Sequence, residues 1–170
     1  MKIGIISDTH RKLNKAKKAL DLLLDKGVEF IIHAGDIVEV EMLEMLEASG
    51  VRYVAVYGNN DNHLIEHHSR YNLVKEPHYF KLAGLKWKLM HLPYYMAADS
   101  DVVIFGHTHM FKCEMINNTL FLNPGEVCAR KKPLSECAML EVFEDKFEVT
   151  YFSRMQKSHY FKEEHFSYER

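Results

Sequence analysis

Five apolar runs in this chain each end on residues able to bind a metal ion, and this recurrence constrains the fold more than any other feature. The ends are Asp8-Thr9-His10, Gly35-Asp36, Gly58-Asn59, His91 and Gly106-His107-Thr108-His109. The runs before them, 2–7, 30–33, 51–57, 85–90 and 102–105, read as short buried strands. Between the first two, Lys12–Lys26 carries Leu13, Ala16, Leu20, Leu23 and Leu24 at helical spacing, and Gly27 follows as a C-terminal cap. Glu39–Ser49 reads as a second amphipathic helix, closed by Gly50. Strand, helix, strand, helix, strand predicts a parallel βαβ arrangement. In such sheets ligands bind outside the carboxyl ends of the strands, so side chains far apart in sequence can converge there.

The remainder of the chain is less regular. Leu64–Pro77 is polar and carries no clear period. His78–Leu82 and Leu85–Met90 predict a hairpin around Ala83-Gly84, and Tyr94–Ala98 a short helix. Two further hairpins are expected. Lys112–Ile116 and Thr119–Leu122 flank Asn117-Asn118, a good two-residue turn, and Ala138–Phe143 and Lys146–Tyr151 flank Glu144-Asp145. The tail 156–170 is charged and aromatic and takes no assignment. No repeat or low-complexity segment divides the chain, so residues 1–170 read as one domain.

Composition narrows the function. The net charge is -2 with no basic stripe, which argues against a nucleic-acid partner. The three cysteines form no CxxC pair, so a reduced, cytoplasmic setting is expected. The N-terminus lacks a signal-peptide pattern, and no run reaches the length of a membrane span. Histidine is the outlier at 11 residues, several of them beside Asp, Asn or Gly.

Carboxylate and amide oxygens mixed with imidazole nitrogens suit manganese, iron, nickel or zinc, with manganese the first expectation. Seven side chains exceed what one tetrahedral zinc needs. They suffice for two divalent ions if one carboxylate bridges. Such ions, roughly 3.5–4 Å apart, clamp the attacking and leaving oxygens of a phosphoryl displacement and lower the pKa of bound water. Taken singly, the motifs are weaker. Asp36 and Asn59 suit ordinary turns, His91 suits a packed histidine, and His107 with His109 suits a hydrogen-bonded loop pair. Their common placement at strand ends argues for a site.

The order Asp8-x-His10, Gly35-Asp36, Gly58-Asn59-x-Asp61, His91 and Gly106-His107-x-His109, then Asn123-Pro124-Gly125, resembles the calcineurin-like metallophosphoesterase superfamily, specifically its small bacterial and archaeal phosphodiesterase branch. The resemblance implies a four-layer α-β-β-α sandwich with two mixed sheets. It implies one metal held by Asp8, His10, Asp36 and His109 and another by Asp36, Asn59, His91 and His107, with Asp36 bridging. It also implies hydrolysis of a small phosphate ester by in-line attack of a metal-bridging hydroxide. His107 or Asn59 would offset charge on the phosphate oxygens.

Three positions depart from the family pattern. Asn60 stands where many relatives carry a histidine thought to protonate the leaving group, which leaves Asp61 or His63 as candidates. His91 is followed by Leu92-Pro93 rather than Gly-His, and Glu126 replaces a usual serine. Elsewhere, His63, His67 and His68 read as a solvated face, and Arg130-Lys131-Lys132 as a solvated turn. His33 reads as a packed residue orienting ligands, and Trp87, Phe80 and Leu82 as core. The alternative to an enzyme is a scaffold, since the small subunit of retromer is similar in fold. A nuclease is disfavoured by the missing basic groove. Exposed hairpin edges are compatible with a homodimer.

Overall fold

The computed structural model describes residues 1–170. Three parallel strands, β1 (Lys2–Ile6), β2 (Phe30–His33) and β3 (Arg52–Val56), alternate with helices α1 (Leu13–Asp25) and α2 (Val40–Ala48). The two helices bury the faces that their spacing predicts: Ala16, Ala19, Leu20 and Leu23 on α1, and Met42, Leu43 and Leu46 on α2. Both pack on one side of the sheet in a cluster that also holds Ile6, Ile31 and Phe152.

The short β4 (Leu73–Val74) extends this sheet at one edge. Antiparallel β10 (Leu134–Val142), β11 (Lys146–Met155) and β12 (Lys162–Glu169) extend it at the other, giving the order β12-β11-β10-β1-β2-β3-β4. The tail left unassigned from sequence is therefore largely a strand. It pairs along β11, and Phe166 and Tyr168 pack against the core between the sheets. Residues 62–67 in the polar stretch form a 3-10 turn.

The second sheet has the order β5-β6-β7-β9-β8, formed by β5 (His78–Leu82), β6 (Leu85–Leu89), β7 (Val102–Ile104), β8 (Phe111–Ile116) and β9 (Thr119–Pro124). β6, β7 and β9 run parallel, while the outer pairs are antiparallel. The sheets face each other across Ile3, Ile5, Ile32, Val54, Trp87, Leu89, Ile104 and Leu122. Trp87 is buried there and stacks on Phe80, with ring centroids 6.0 Å apart. The α/β class with two mixed sheets thus holds. No helix is long and apolar enough to cross a membrane.

The outermost layer differs from expectation. Residues 94–98 form turns rather than a helix, packing Met96 onto Met90, Val103, Phe105 and Phe121. The cause is the fully buried Lys88. Its Nζ donates to the carbonyls of Tyr95 (2.8 Å) and Ala97 (3.3 Å) and lies 2.6 Å from Asp99 Oδ1. These carbonyls are drawn down to the ammonium instead of lining up along a helix axis.

Close approach of the strand ends depends on two glycines. A Cβ on Gly58 would lie 2.1 Å from the Asp36 backbone nitrogen, and one on Gly106 would lie 2.2 Å from Ser7 Oγ and 2.6 Å from the Ala34 carbonyl oxygen. Gly106→Ala must therefore separate β7 from β1 and β2. Chemical denaturation of the variant should show a loss of about 1–3 kcal/mol, the usual cost of overpacking. An unchanged stability would show that these strand ends are not tightly packed.

Candidate metal centre

The carboxyl ends of β1, β2 and β3 in one sheet and of β6 and β7 in the other meet along one edge of the sandwich, as the strand-end motifs predict. There the backbone leaves the extended region abruptly. Asp8 (φ 52°), His10 (45°), Asp36 (54°), His107 (65°) and His109 (61°) are all left-handed. Asp and His visit this region more readily than most residues, but each visit still costs on the order of 1–2 kcal/mol. Hydrogen bonds between the turns compensate: Asp8 N–H donates to Gly35 O and His10 N–H to Asp36 O (both 3.0 Å), and Cys128 N–H donates to Asp8 O (3.1 Å). Turning at these residues aims their side chains inward.

All seven predicted ligands converge. Asp36 sits between two histidines, with Oδ1 3.5 Å from His91 Nε2 and Oδ2 3.5 Å from His10 Nε2. On one side, Asp8 Oδ1 lies 3.9 Å from His10 Nε2 and 3.2 Å from His109 Nε2. On the other, Asn59 Oδ1 lies 3.0 Å from His91 Nε2 and 3.1 Å from His107 Nδ1. Two compartments therefore share Asp36. Asp8, Asp36 and His91 form one cluster whose ligand atoms all lie within 4.8 Å of one another.

Two buried atoms among the seven converging side chains make no hydrogen bond, Asp8 Oδ1 and His10 Nε2. Such atoms cost free energy unless something pairs with them. Asp8 Oδ2, by contrast, accepts from Ser7 Oγ (2.6 Å) and from the His107 N–H (3.2 Å), so Oδ1 is the oxygen left for an ion. The donor set and its orphaned atoms fit divalent metals.

Neighbouring groups fix which ring nitrogens face the cluster. His91 Nδ1 lies 2.8 Å from the Ala34 carbonyl oxygen, so it carries the proton and leaves Nε2 free to coordinate. His33 is fully buried and links two strand ends. It accepts from Gly35 N–H at Nδ1 (3.2 Å), and its Nε2 meets Thr9 Oγ1 at 3.0 Å. Glu76 Oε2 accepts from the N–H groups of His91 (2.6 Å) and Leu92 (2.8 Å), holding the turn in which Leu92-Pro93 replaces the family's Gly-His.

Sequence reasoning singled out Glu126 only as a replacement for a serine and gave it no role in the site. It is fully buried, and its Oε2 lies 2.5 Å from His109 Nδ1 and 3.2 Å from Cys128 Sγ. Its Oε1 accepts from the N–H groups of Lys131 (2.8 Å) and Lys132 (2.9 Å). It thus orients His109, as a carboxylate behind a metal-binding histidine would. Burial opposes charge on His109, yet the close approach of Asp8, Cys128 and Glu126 raises its pKa to about 10. The negative field that holds a proton on His109 would hold a cation as well. Burial raises the pKa of the Cys128 thiol, which suits a neutral donor to Glu126 rather than a nucleophile. The only sequence signal for Glu126 was its place after Asn123-Pro124-Gly125.

Asp61 needs correcting as a catalytic candidate. It is fully buried, and its carboxylate accepts from the N–H groups of Ile37 (3.1 Å), Val38 (2.8 Å) and Gly58 (2.7 Å). Both carboxylate oxygens are taken by these amides, so it braces the turns after β2 and β3 and offers no free oxygen toward the centre. Asn60, standing in for the family's histidine, grips Asp36. Its N–H donates to Oδ1 (3.0 Å) and its Nδ2 to Oδ2 (2.8 Å).

Comparisons with known proteins show the family and the fold. The sequence profile of the calcineurin-like phosphoesterase superfamily domain matches residues 1–145. A phosphodiesterase of Methanocaldococcus jannaschii is 35% identical over 141 residues, covering 75% of this chain and 85% of that protein. A solved archaeal phosphodiesterase superposes with a TM-score of 0.75 at 27% identity, covering 98% of this chain and all of that one. Vps29 of Chaetomium thermophilum superposes at 0.79 with 18% identity, covering 100% of this chain and 95% of that one; this likeness concerns the fold alone. The chain belongs to the calcineurin-like phosphoesterase superfamily, and it is a metallophosphoesterase, a hydrolase.

Glu126→Gln should keep the fold but weaken metal binding by about 10- to 100-fold, as measured by calorimetry, because ligand-orienting carboxylates contribute on that scale. Unaltered affinity would assign Glu126 to packing alone. A second expectation concerns acid stability. Burial lowers the His33 pKa from 6.5 to about 3, so between these values the unfolded chain binds a proton that the folded one refuses. Stability of chelator-stripped protein should therefore fall as pH drops through that window, with His33 contributing up to about 1.4 kcal/mol per pH unit. His109 acts in the opposite sense and at higher pH, stabilising below 6.5 and losing this effect toward about 10. His33→Gln should flatten the acid slope in denaturation series; an equal slope would refute the assignment.

Proposed function

We propose that this metallophosphoesterase is a binuclear phosphodiesterase that hydrolyses small phosphate esters with acidic leaving groups, manganese being the first choice of metal. The observation that carries this reading is Asp36, whose two carboxylate oxygens each face a different histidine at 3.5 Å. The residues that would hold one ion are Asp8, His10, Asp36 and His109; those for the other are Asp36, Asn59, His91 and His107. Two bound divalent ions would supply Lewis-acid charge and an activated water for in-line displacement at phosphorus.

The chain's own residues divide the remaining work. Asn59 is exposed and His107 partly so, while Asp8, Asp36 and His91 are buried, so the substrate phosphate meets the centre from the Asn59 and His107 side. Their amide and imidazole offset charge that grows on the phosphate oxygens. Asn60 hydrogen-bonds Asp36 and has no acidic proton to give. A leaving group must then depart as a stable anion, which is the reason for favouring acidic leaving groups. The three cysteines are unpaired, in keeping with a reduced cytoplasmic setting.

The deciding experiment is hydrolysis of bis-p-nitrophenyl phosphate by chelator-stripped protein with and without added manganese. Turnover should depend on the metal and fall at least about 100-fold in Asp36→Asn, the scale of losing a major electrostatic group, with circular dichroism unchanged. Two metals bound without turnover would favour a scaffold role. Full activity in Asp36→Asn would refute the bridge.

A further inference from the structure

A groove of about 750 Å³ opens beside the metal centre and shares two walls with it, His10 and Asn60. Its other lining includes Arg11, Lys12, Lys15 and Arg130, and no Asp or Glu lines it. Four Lys or Arg around one groove contrast with the net charge of -2 on the whole chain. The clustering comes from tertiary structure. Arg11, Lys12 and Lys15 sit where β1 runs into α1, whereas Arg130 arrives from the segment between β9 and β10. Arg130-Lys131-Lys132, expected as one solvated turn, is in fact divided. Lys132 is spent on Glu136 at 2.6 Å, while Arg130 turns to the groove.

The four cations differ in what they already hold. Arg11 lies 3.4 Å from Glu39 Oε1, and Lys15 Nζ donates to the Cys128 carbonyl at 2.9 Å. Neither Lys12 nor Arg130 makes an ion pair in the fold. Burial and then the charge of Lys12 lower the Lys15 pKa, as expected where cations crowd together. The α1 N-terminus, which starts at this groove, has no side-chain cap and adds its own positive field. A low-dielectric cleft lined by one sign of charge concentrates ligands of the other.

The opposite flank of the centre is unlike this. A smaller pocket of about 330 Å³ beside Asn59 is lined by Tyr57, Ile65, Lys75 and Glu76, one cation against one anion. A phosphodiester whose phosphorus sits over the metals therefore meets two different environments for its two arms.

We propose that the Arg11–Lys12–Lys15–Arg130 groove binds a further phosphate group carried on one arm of the substrate, so that the preferred ester is a phosphodiester bearing a second phosphate. This rests on the phosphodiesterase reading and names its substrate class. Arg130 offers a planar fork suited to two phosphate oxygens, and Lys12 a point charge. The groove selects and orients the substrate; the chemistry stays at the metals.

The test uses manganese-loaded protein and two matched esters, thymidine 5'-(p-nitrophenyl phosphate) with and without a 3'-phosphate. The 3'-phosphorylated ester should show a kcat/KM at least about 10-fold higher, and the ratio should shrink toward one in Lys12→Gln/Arg130→Gln and at high salt. Equal values for the two esters in the wild type, or an undiminished ratio in the double variant, would overturn the groove assignment. Calorimetry with thymidine 3',5'-bisphosphate and thymidine 5'-monophosphate decides the groove independently of turnover. Tighter binding of the bisphosphate, lost in the double variant, supports the groove even if neither ester is hydrolysed, an outcome that would count against the phosphodiesterase reading alone. Equal binding of the two nucleotides overturns the groove whatever the turnover.

Discussion

Asp36 is buried between two histidines with one carboxylate oxygen turned to each, and most of the surrounding structure serves to keep it there. Gly35 and Asp36 both take left-handed conformations, so the chain turns sharply at the end of β2. Gly58 leaves no side chain in the space that the Asp36 backbone occupies. Asn60 holds both carboxylate oxygens from the next strand end, and Asp61 ties the turns after β2 and β3 together through three backbone amides. Moving any one of these would shift the carboxylate relative to the histidines on either side. A carboxylate that must face a histidine on either side tolerates little displacement.

The same constraint explains why strained backbone gathers here. Five left-handed residues among the ligands would destabilise an isolated chain, yet the two sheets meet at this edge and the turns hydrogen-bond to one another across it. Stability stored in the cores around Ile5, Trp87 and Leu23 supports a site that is not itself optimised for folding. Buried carboxylates and imidazoles add to that burden, and hydrogen bonds from neighbouring backbone and side chains offset part of it. Glu126 is part of this balance. Its charge is absorbed by His109 and by two backbone amides, so a glutamate can stand in a buried position where the family usually keeps a serine.

Asymmetry is the second theme. One flank of the centre is cationic and roomy, the other small and nearly neutral, and the two are built from different elements. A small metallophosphoesterase can change its substrate by altering such flanks while leaving the ligands intact, because the metals act on the phosphorus and the flanks act on what is attached to it.

Much of this was legible in the sequence. A residue or pair of residues able to bind metal at the end of each of five apolar runs marked the side chains that converge, because parallel strands bring their carboxyl ends together without regard to sequence distance. The helical period of Lys12–Lys26 and Glu39–Ser49 and the alternation of the hairpins identified the elements. What the sequence left open were features decided by burial and direction. The period of 94–98 is compatible with a helix, and only the buried ammonium of Lys88 on the sheet beneath draws its carbonyls away. The tail becomes β12 because β11 offers an unpaired edge, a partner that local pattern cannot reveal. Asp61 looks like a proton donor in a motif and becomes a brace once three amides point at it. Glu126 stands in the sequence only as a replaced serine and proves buried against His109, and Arg130 joins Lys12 across a separation of more than 100 residues. Local chemistry sets which atoms are available to bind; only the packed chain sets which of them face one another, and charge, burial and coordination all depend on that.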